Sequence, residues 1–178
     1  IKVPKNLSLT SYHDLYMISS NIKYPAVVKG IFYEAYIVNN FDELQHAFNK
    51  LSAKWGYPII VQEYLKGDEF NVVGLGDGTG RTVGAVPMRK LYITDKGKGW
   101  AGVTIDDKNL LELSKKVIEK TKWKSGLELE FIKSADTGEY FLLEINPRFP
   151  AWVYLAPAAG QNLPYALVKL AFGENVES

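Results

Sequence analysis

The chain has 178 residues, of which 47% are hydrophobic and 13% aromatic, a composition typical of an ordered globular protein with a substantial core. Lys and Arg number 21 against 20 Asp and Glu, and the net charge of +1 does not favour nucleic acid or a membrane surface as a partner. The absence of cysteine excludes disulfides, thiolate metal sites and a cysteine nucleophile, and it is compatible with a reducing cytoplasm.

The first third of the chain predicts helices and short apolar strands. The spacing of apolar residues predicts a helix over residues 10–20. Asn40, with Glu43 at the third helical position, is a good N-cap for a second helix whose apolar stripe runs to Gly56. Three apolar runs have the length of strands: Ala26–Lys29, 34–38 and 59–65.

Beyond residue 65 the pattern changes to hairpins. A DGTG turn at residues 77–80 joins predicted strands over 69–75 and 81–88. Asp106 or Asp107 begins a predicted helix over 108–120, and a last helix spans 164–172. Antiparallel hairpins with helices on one face indicate an α+β fold, because the strict strand–helix alternation of a doubly wound sheet is absent.

Two other motifs do not indicate a functional site. The alternating glycines from Gly74 to Gly80 lie between two strand-like runs, whereas a dinucleotide-binding loop follows a strand and opens a helix. His13 and His46 lie on predicted helices without a partner at metal-ligand spacing, so we interpret both as structural or surface residues.

Residues 126–148 carry the most informative pattern in the chain. Two strands joined by a turn at residues 135–138 form a predicted hairpin. Because alternate residues of a strand share a face, Glu128 and Glu130 point together from the first strand. On the second strand, Glu144, Asn146 and Arg148 are predicted to point to this same face. Phe141, Leu143 and Ile145 are predicted to point to the opposite face.

Carboxylates gathered on one face repel each other unless a cation lies between them. Hard oxygen ligands suit magnesium, which proteins usually hold with one or two carboxylates and substrate phosphates. Arg148 is then placed to donate to a phosphate oxygen. The alternative is a solvated strand face whose acids and arginine form surface pairs, but an ExE strand followed by ExNxR favours the metal site.

Two strand ends and a turn supply further candidates. Lys29 is the last residue of an apolar strand. It is a candidate site residue, although a lysine at such a position often simply extends into solvent. Glu69 can accept hydrogen bonds from ribose hydroxyls, or it is a charged hairpin residue. Backbone groups that can read an adenine edge are predicted at the end of the strand before it: Gln62, Glu63, Tyr64 and Leu65. Lys90, Lys96 and Lys98 flank a predicted loop over 94–102, which either covers phosphates or is simply solvated.

These segments, in this order, resemble the ATP-grasp family, in the branch typified by the large subunit of carbamoyl-phosphate synthase. The resemblance rests on YPAVVKG at 24–30, IIVQEYLKGDEFNVV at 59–73, PMRKLYITDKGKGWAGVTID at 87–106, GLELEF at 126–131 and LLEINPRFP at 142–150. It implies two α+β lobes that hold ATP between them, one over residues 1–64 and one over 65–178. It also implies a preceding domain, which we expect to lie outside this sequence.

The resemblance assigns a role to each candidate by its position. Lys29 is similar to a lysine that reaches adenine and the α-phosphate, and Glu69 to the ribose-binding glutamate. Residues 62–65 resemble the adenine-reading hinge, with Gln62 and Tyr64 flanking Glu63 and Leu65. Metal ligands and phosphate-facing residues are implied as follows: Glu130, Glu144 and Asn146 for Mg²⁺ or Mn²⁺, Arg148 with Asn146 in the catalytic centre, and Arg89 facing the phosphates.

The implied activity is that of an ATP-dependent carboxylate ligase. A carboxylate attacks the γ-phosphate of ATP, and an amine or other nucleophile then takes the acyl phosphate. Family members usually carry a glycine-rich loop after the lysine strand, whereas Gly30 is followed here by IFYEAY. That departure keeps one alternative open, a non-catalytic ATP-binding or regulatory module. A plain interaction domain is a further alternative, which requires that the acidic hairpin has no functional role.

The implied partners are ATP, a carboxylate and a nucleophile, with a homodimer left open. The aromatic segment at residues 149–154 either lines an acceptor pocket or packs between the lobes.

Overall fold

The computed structural model describes residues 1–32, 34–93 and 99–176, with Ile93 described by its backbone alone. The chain divides into two compact units, Pro4–Leu65 and a second unit that combines Ile1–Val3 with Lys66–Ser178. We refer to them as the first and the second unit. No helix within the described ranges is long and apolar enough to cross a membrane.

The first unit is a four-stranded antiparallel sheet with two helices. Its elements are β1 (Asn6–Leu9), α1 (Tyr12–Ile18), β2 (Ala26–Lys29), β3 (Ala35–Val38), α2 (Phe41–Trp55) and β4 (Ile59–Glu63). The strands lie in the order β1-β4-β2-β3, so β4 returns between the first two strands.

Helix α2 forms where its capping and apolar residues predict it. The side chain of Asn40 accepts a hydrogen bond from the Glu43 amide at 2.9 Å, and Gly56 ends the helix with a φ of 76°. The buried stripe of α2 packs on the sheet together with residues from every strand: Leu44, Phe48 and Leu51 against Leu9, Val28, Val38, Ile59 and Val61. This cluster is the core of the first unit.

The second unit is built on a five-stranded antiparallel sheet. Its elements are β5 (Gly67–Asp77), β6 (Thr82–Ile93), β7 (Gly99–Thr104), α3 (Lys108–Thr121), β8 (Lys124–Ser134), β9 (Tyr140–Asn146), α4 (Leu155–Ala158) and α5 (Leu163–Ala171). The strand order is β7-β6-β5-β8-β9. Two antiparallel sheets with flanking helices confirm the predicted α+β class.

The two faces of the five-stranded sheet are covered differently. Helix α3 packs on one face, over a core that includes Phe70, Val72, Leu127, Leu129 and Phe131. On the other face, the segment from Phe149 to α5 covers the part of the sheet that presents Val73, Leu75 and Val86. The rest of that second face carries polar side chains, and it holds the candidate site.

Several element boundaries differ from the sequence-based prediction. Strands β1 and β7 and the short helix α4 were not predicted, and β6 continues past Met88 to Ile93. Residues 99–102 therefore belong to an edge strand rather than to the expected lysine- and glycine-bearing loop, while Lys96 and Lys98 fall outside the described residues. The strand was not predicted because glycine is unfavourable inside strands. Packing requires glycine at position 102, since a Cβ there would overlap the Met88 side chain.

Candidate functional site

Four neighbouring strands bring polar side chains to one area of the sheet. β5 supplies two of them, β6 one, β8 two and β9 two, and one arginine lies two residues after the end of β9. We call this set the polar cluster: Glu69, Asn71, Lys90, Glu128, Glu130, Glu144, Asn146 and Arg148. All its members belong to the second unit.

The strand register sets two carboxylates directly opposite each other. Glu130 on β8 pairs with Glu144 on β9, and Glu128 pairs with Asn146. On its other side Glu130 pairs with Asn71 of β5. Directly opposed like charges destabilise a sheet, and a cation close to both carboxylates would relieve this repulsion.

A β-bulge in β9 makes this pairing compatible with the core beneath it. Phe131 pairs with Leu142 and Glu130 pairs with Glu144, which leaves Leu143 as the extra residue. Tyr140, Leu142 and Ile145 all pack in the core on the α3 face. The sequence-based prediction placed Ile145 on that face correctly but was wrong to give it Phe141 as a companion, since the bulge shifts the alternation by one residue.

Lys90 is a buried cation that contacts one of these acids, Glu130, and also Glu69 on β5. Its side chain is only 3% exposed, and its Nζ lies 2.7 Å from Oε2 of Glu69 and 3.1 Å from Oε2 of Glu130. Burial of the ammonium opposes its protonation, but the opposite charges of Glu130 and Glu69 outweigh that effect and raise the pKa of Lys90. Lys90 therefore remains a cation between the two glutamates.

Glu128 is a buried carboxylate with three hydrogen-bond donors. Its Oε1 accepts from Nδ2 of Asn71 at 2.6 Å and from Nε1 of Trp152 at 2.8 Å. Its Oε2 accepts from Nη1 of Arg148 at 3.1 Å. The residue is 5% exposed, so these donors replace the water that an ionised carboxylate would otherwise bind.

Asn146 and Arg148 extend this network toward solvent. Asn146 donates from Nδ2 to Oε1 of Glu130 at 3.1 Å, and Arg148 donates from Nη2 to Oδ1 of Asn146 at 3.4 Å. The Arg148 side chain is 59% exposed. Asn71 is almost fully buried, and its Oδ1 has no hydrogen-bond partner among the residues that the structure describes.

The polar cluster contains five of the second-unit residues to which the family resemblance assigned a role. They are Glu69, Glu130, Glu144, Asn146 and Arg148. Arg89 lies outside the cluster, because it pairs with Phe70, whose ring is in the core on the α3 face, and its guanidinium binds Asp68 at 2.9 Å.

Sequence reasoning missed the roles of Asn71, Lys90 and Trp152 in this network. Lys90 had been placed beside a loop, and Trp152 among the aromatic residues of segment 149–154. The alternation along β5 and β6 carried the signal for Asn71 and Lys90, once both strands are extended to their observed ends.

The remaining candidates belong to the first unit. Lys29 is the half-buried last residue of β2, and Gln62 is buried in β4. The amide of Glu63 donates to the Lys5 carbonyl at 2.8 Å, and its carboxylate accepts from the Lys5 amide at 3.2 Å. Tyr64 is exposed and Leu65 half-buried just after the strand ends.

The polar cluster offers oxygen ligands of the kind that magnesium prefers. Glu130 and Glu144 supply opposed carboxylates, and Asn146 supplies an amide oxygen after a rotation of its side chain. Within the described part of the chain, no group of three or more His, Cys, Asp or Glu residues is arranged to hold a metal ion. The donor set thus fits a cation that takes its remaining ligands from phosphates or water.

Comparison with known proteins points in one direction. The family model described as ATP-grasp in the biosynthetic pathway with Ter operon matches residues 57–178, more than half of the chain. A D-alanine–D-alanine ligase from Rickettsia felis is 28% identical over 144 residues, which cover 72% of this chain and 44% of that enzyme.

Solved structures share the fold. The biotin carboxylase complex with β,γ-ATP from Campylobacter jejuni aligns with a TM-score of 0.81 at 17% identity, over 100% of this chain and 44% of that one. The N5-carboxyaminoimidazole ribonucleotide synthetase from Thermotoga maritima aligns with a TM-score of 0.75 at 15% identity, over 100% of this chain and 46% of that one. The chain thus spans less than half the length of these three proteins.

Proposed function

Because this chain belongs to the ATP-grasp family described for a biosynthetic pathway with the Ter operon, we propose that it is the magnesium- and ATP-binding part of a carboxylate ligase. In the proposed reaction a substrate carboxylate attacks the γ-phosphorus of ATP, and the bond to the bridging oxygen breaks to release ADP. An amine or other nucleophile then attacks the acyl carbon and releases phosphate. The observation that carries the proposal is the opposed pair of Glu130 and Glu144 beside Asn146 and Arg148.

We assign the residues of the polar cluster different roles in the proposed reaction. Glu130, Glu144 and Asn146 would hold magnesium or manganese, which would neutralise charge on the phosphates. Arg148 donates to an oxygen of the terminal phosphate, because a guanidinium matches phosphate geometry with paired donors. Glu69 accepts hydrogen bonds from ribose hydroxyls. No enzyme nucleophile is needed, so positioning and charge neutralisation supply the catalysis.

The first unit would contribute contacts to the adenosine. Following the family resemblance, we assign Lys29 to adenine and the α-phosphate, and the backbone of Glu63 and Leu65, flanked by Gln62 and Tyr64, to the adenine edge. Arg89 lies outside the polar cluster, and we assign Lys90 in its place to the phosphate end of the site.

The acceptor chemistry is proposed only by class. We propose a carboxylate and an amine, in line with the D-alanine–D-alanine ligase relative and with the resemblance to carbamoyl-phosphate synthase. An ATP-dependent ligase without cysteine is suited to the cytoplasm, where ATP is supplied and thiols stay reduced. A homodimer is part of the proposal, since one structurally similar biotin carboxylase domain is described as a dimer.

Thermal unfolding with ATP, with and without magnesium, tests the binding function. A nucleotide at about 100 times its dissociation constant should raise the free energy of unfolding by roughly 2.7 kcal/mol. Glu144→Gln should abolish most of the magnesium-dependent part while the unliganded variant keeps the wild-type far-UV spectrum. An equal magnesium-dependent shift in both proteins would remove Glu144 from the metal site, and no shift in the wild type would favour the plain interaction domain.

A non-catalytic ATP-binding module is the second candidate function. The segment after Lys29 has a single glycine, and Ile31 and Phe32 are 47% and 65% exposed where the family carries a glycine-rich loop. ATP binding without ADP formation across a panel of carboxylates and amines, measured on the full-length protein, would establish this candidate instead of the ligase.

A further inference from the structure

We propose that Glu128 is a positioning residue that holds Arg148 ready for the phosphate end of the nucleotide, without itself touching nucleotide or metal. The inference rests on the proposed function, because it assigns Arg148 to phosphate. Glu128 shares a sheet face with Glu130 and lies only two residues from it, so the two glutamates are equivalent in the strand pattern. Their surroundings separate their roles.

Both carboxylate oxygens of Glu128 are already bound by protein donors. Oε1 accepts from Asn71 at 2.6 Å and from Trp152 at 2.8 Å, and Oε2 accepts from Arg148 at 3.1 Å. A metal ion at Glu128 would have to displace these donors from a side chain that is 6% exposed. The side chain of Glu130, by contrast, is 26% exposed. Glu128 is therefore placed as an anchor, and Glu130 as a ligand.

Arg148 is held by an ion pair at Nη1 and by a longer hydrogen bond from Nη2 to Asn146, yet much of its side chain is accessible. Its Nη1 binds Glu128, while its side chain remains 59% exposed. An arginine side chain that is free to rotate loses rotamer entropy when it is fixed on a ligand. Glu128 fixes part of that freedom before the nucleotide arrives, so phosphate binding by the remaining guanidinium donors costs less entropy.

The carboxylate of Glu128 is itself held by donors from two parts of the second unit, Asn71 and Trp152. Asn71 comes from the middle of β5 and is 3% exposed, and Trp152 is packed against the core that lies under α5. Two neutral donors orient the carboxylate but leave its charge uncompensated, and a buried charge without a partner is strongly unfavourable. Arg148 supplies the compensating charge, so the two residues hold each other in place.

A double-mutant cycle on magnesium–ATP affinity tests the proposal. Glu128→Gln keeps the shape of the side chain but removes its charge, and we expect about a 10-fold loss of affinity, the size typical of a lost charged hydrogen bond. Arg148→Met should lose at least as much. Because Glu128 acts through Arg148, the double variant should bind no more weakly than Arg148→Met alone. Equal effects of Glu128→Gln with and without Arg148 would overturn the positioning role, as would wild-type affinity in Glu128→Gln.

Matched controls separate positioning from folding. Glu112→Gln makes the same change in an exposed ion pair with Lys115 on α3, and it should leave affinity unchanged. Trp152→Phe removes one donor but keeps the Arg148 contact, so its loss should be smaller than that of Glu128→Gln. Circular dichroism and thermal unfolding are used to choose a temperature at which all variants are folded, so that a loss of affinity does not reflect unfolding.

A nucleotide-free readout keeps this inference distinct from the proposed function. If the wild type does not bind magnesium–ATP, the ligase proposal fails, and the positioning role is judged by guanidinium NMR. The Arg148 Nη–H signals should exchange slowly in the wild type, because Nη1 donates to Glu128, and they should collapse toward those of free arginine in Glu128→Gln. An identical Arg148 signal in both proteins would overturn the inference in that case.

Discussion

Lys90 neutralises two carboxylates from different strands at once. Its ammonium lies between Glu69, assigned to the ribose, and Glu130, assigned to the metal, at 2.7 and 3.1 Å. A metal ion at Glu130 and a ribose at Glu69 each compete with the same ammonium. Once one ligand has displaced it, the second meets less competition, so nucleotide and metal should bind cooperatively.

We therefore predict that Lys90→Met binds manganese alone more tightly than the wild type does. Removing a positive charge next to a ligand oxygen favours a cation, and we expect roughly a 10-fold gain in affinity, measured by the loss of the free Mn²⁺ signal in electron paramagnetic resonance. Lys115→Met, in an exposed pair on α3, is the matched control and should not change. Unchanged or weaker manganese binding by Lys90→Met would show that Lys90 does not compete with the metal.

At the scale of single elements, the hairpin of β8 and β9 shows what alternation can and cannot predict. The ExE and ExNxR patterns correctly predicted a hairpin, since Glu130 and Glu144 do pair across it. The companions of Ile145 on the core face were not predictable, because no local feature of the sequence marks Leu143 as a bulge. Leu142 and Phe141 are both apolar, so either could serve as the core residue.

The turn between β5 and β6 contains a carboxylate that stabilises the folded state. Asp77 accepts from the amide and the hydroxyl of Thr79, both at 2.8 Å, and from Nε of Arg81 at 2.9 Å. These hydrogen bonds favour the ionised form and lower the pKa of Asp77 from 3.8 to about 2. Glycines at the turn and the DGTG sequence made the turn predictable, but this ion pair was not.

The pKa of Asp77 predicts an acid-dependent part of the stability. Because the pKa is lower in the folded chain, the carboxylate stabilises the fold above about pH 4, and that contribution is lost as the pH falls toward about 2. The Tm difference between the wild type and Asp77→Asn should therefore be constant above about pH 5 and shrink steadily below about pH 4. A difference that stays constant down to about pH 2 would contradict the assigned role of the ionised form.

At the scale of the whole molecule, the family was predictable because its motifs lie in both units. The ATP-grasp resemblance is confirmed by the matching family model and by the shared fold. The roles of Lys90 and Glu128 were not predictable, because they depend on which side chains of four strands meet on one face. That information lies in the strand register rather than in any single motif.

Each unit has a core of its own. Among the described residues, the core of the first unit consists of residues between Leu9 and Val61, and the two clusters of the second unit begin at Phe70 and Val73. Phe48→Ala should thus lower the free energy of unfolding of the first unit by about 3–5 kcal/mol, because Phe48 is fully buried there.

Hydrogen exchange read strand by strand measures this effect. Amides of β2 and β4 should exchange faster in Phe48→Ala, with the amides of β5 and β8 as an internal reference. Phe172→Ala, at a position that is 79% exposed, is the control and should change stability by less than about 0.5 kcal/mol. Unaltered exchange in β2 and β4 would show that Phe48 does not support this sheet.

The bulge in β9 gives the chain an unusual tolerance to deletion. Elsewhere in a strand, the loss of one residue turns every following side chain to the opposite face. Two residues, Leu143 and Glu144, share the place opposite Glu130. A chain without Leu143 would pair regularly, with Glu144 still facing Glu130 and Ile145 still in the core. Loss of Phe141 instead would turn Tyr140 out of the core. The strand should therefore tolerate a deletion at Leu143 but not at Phe141.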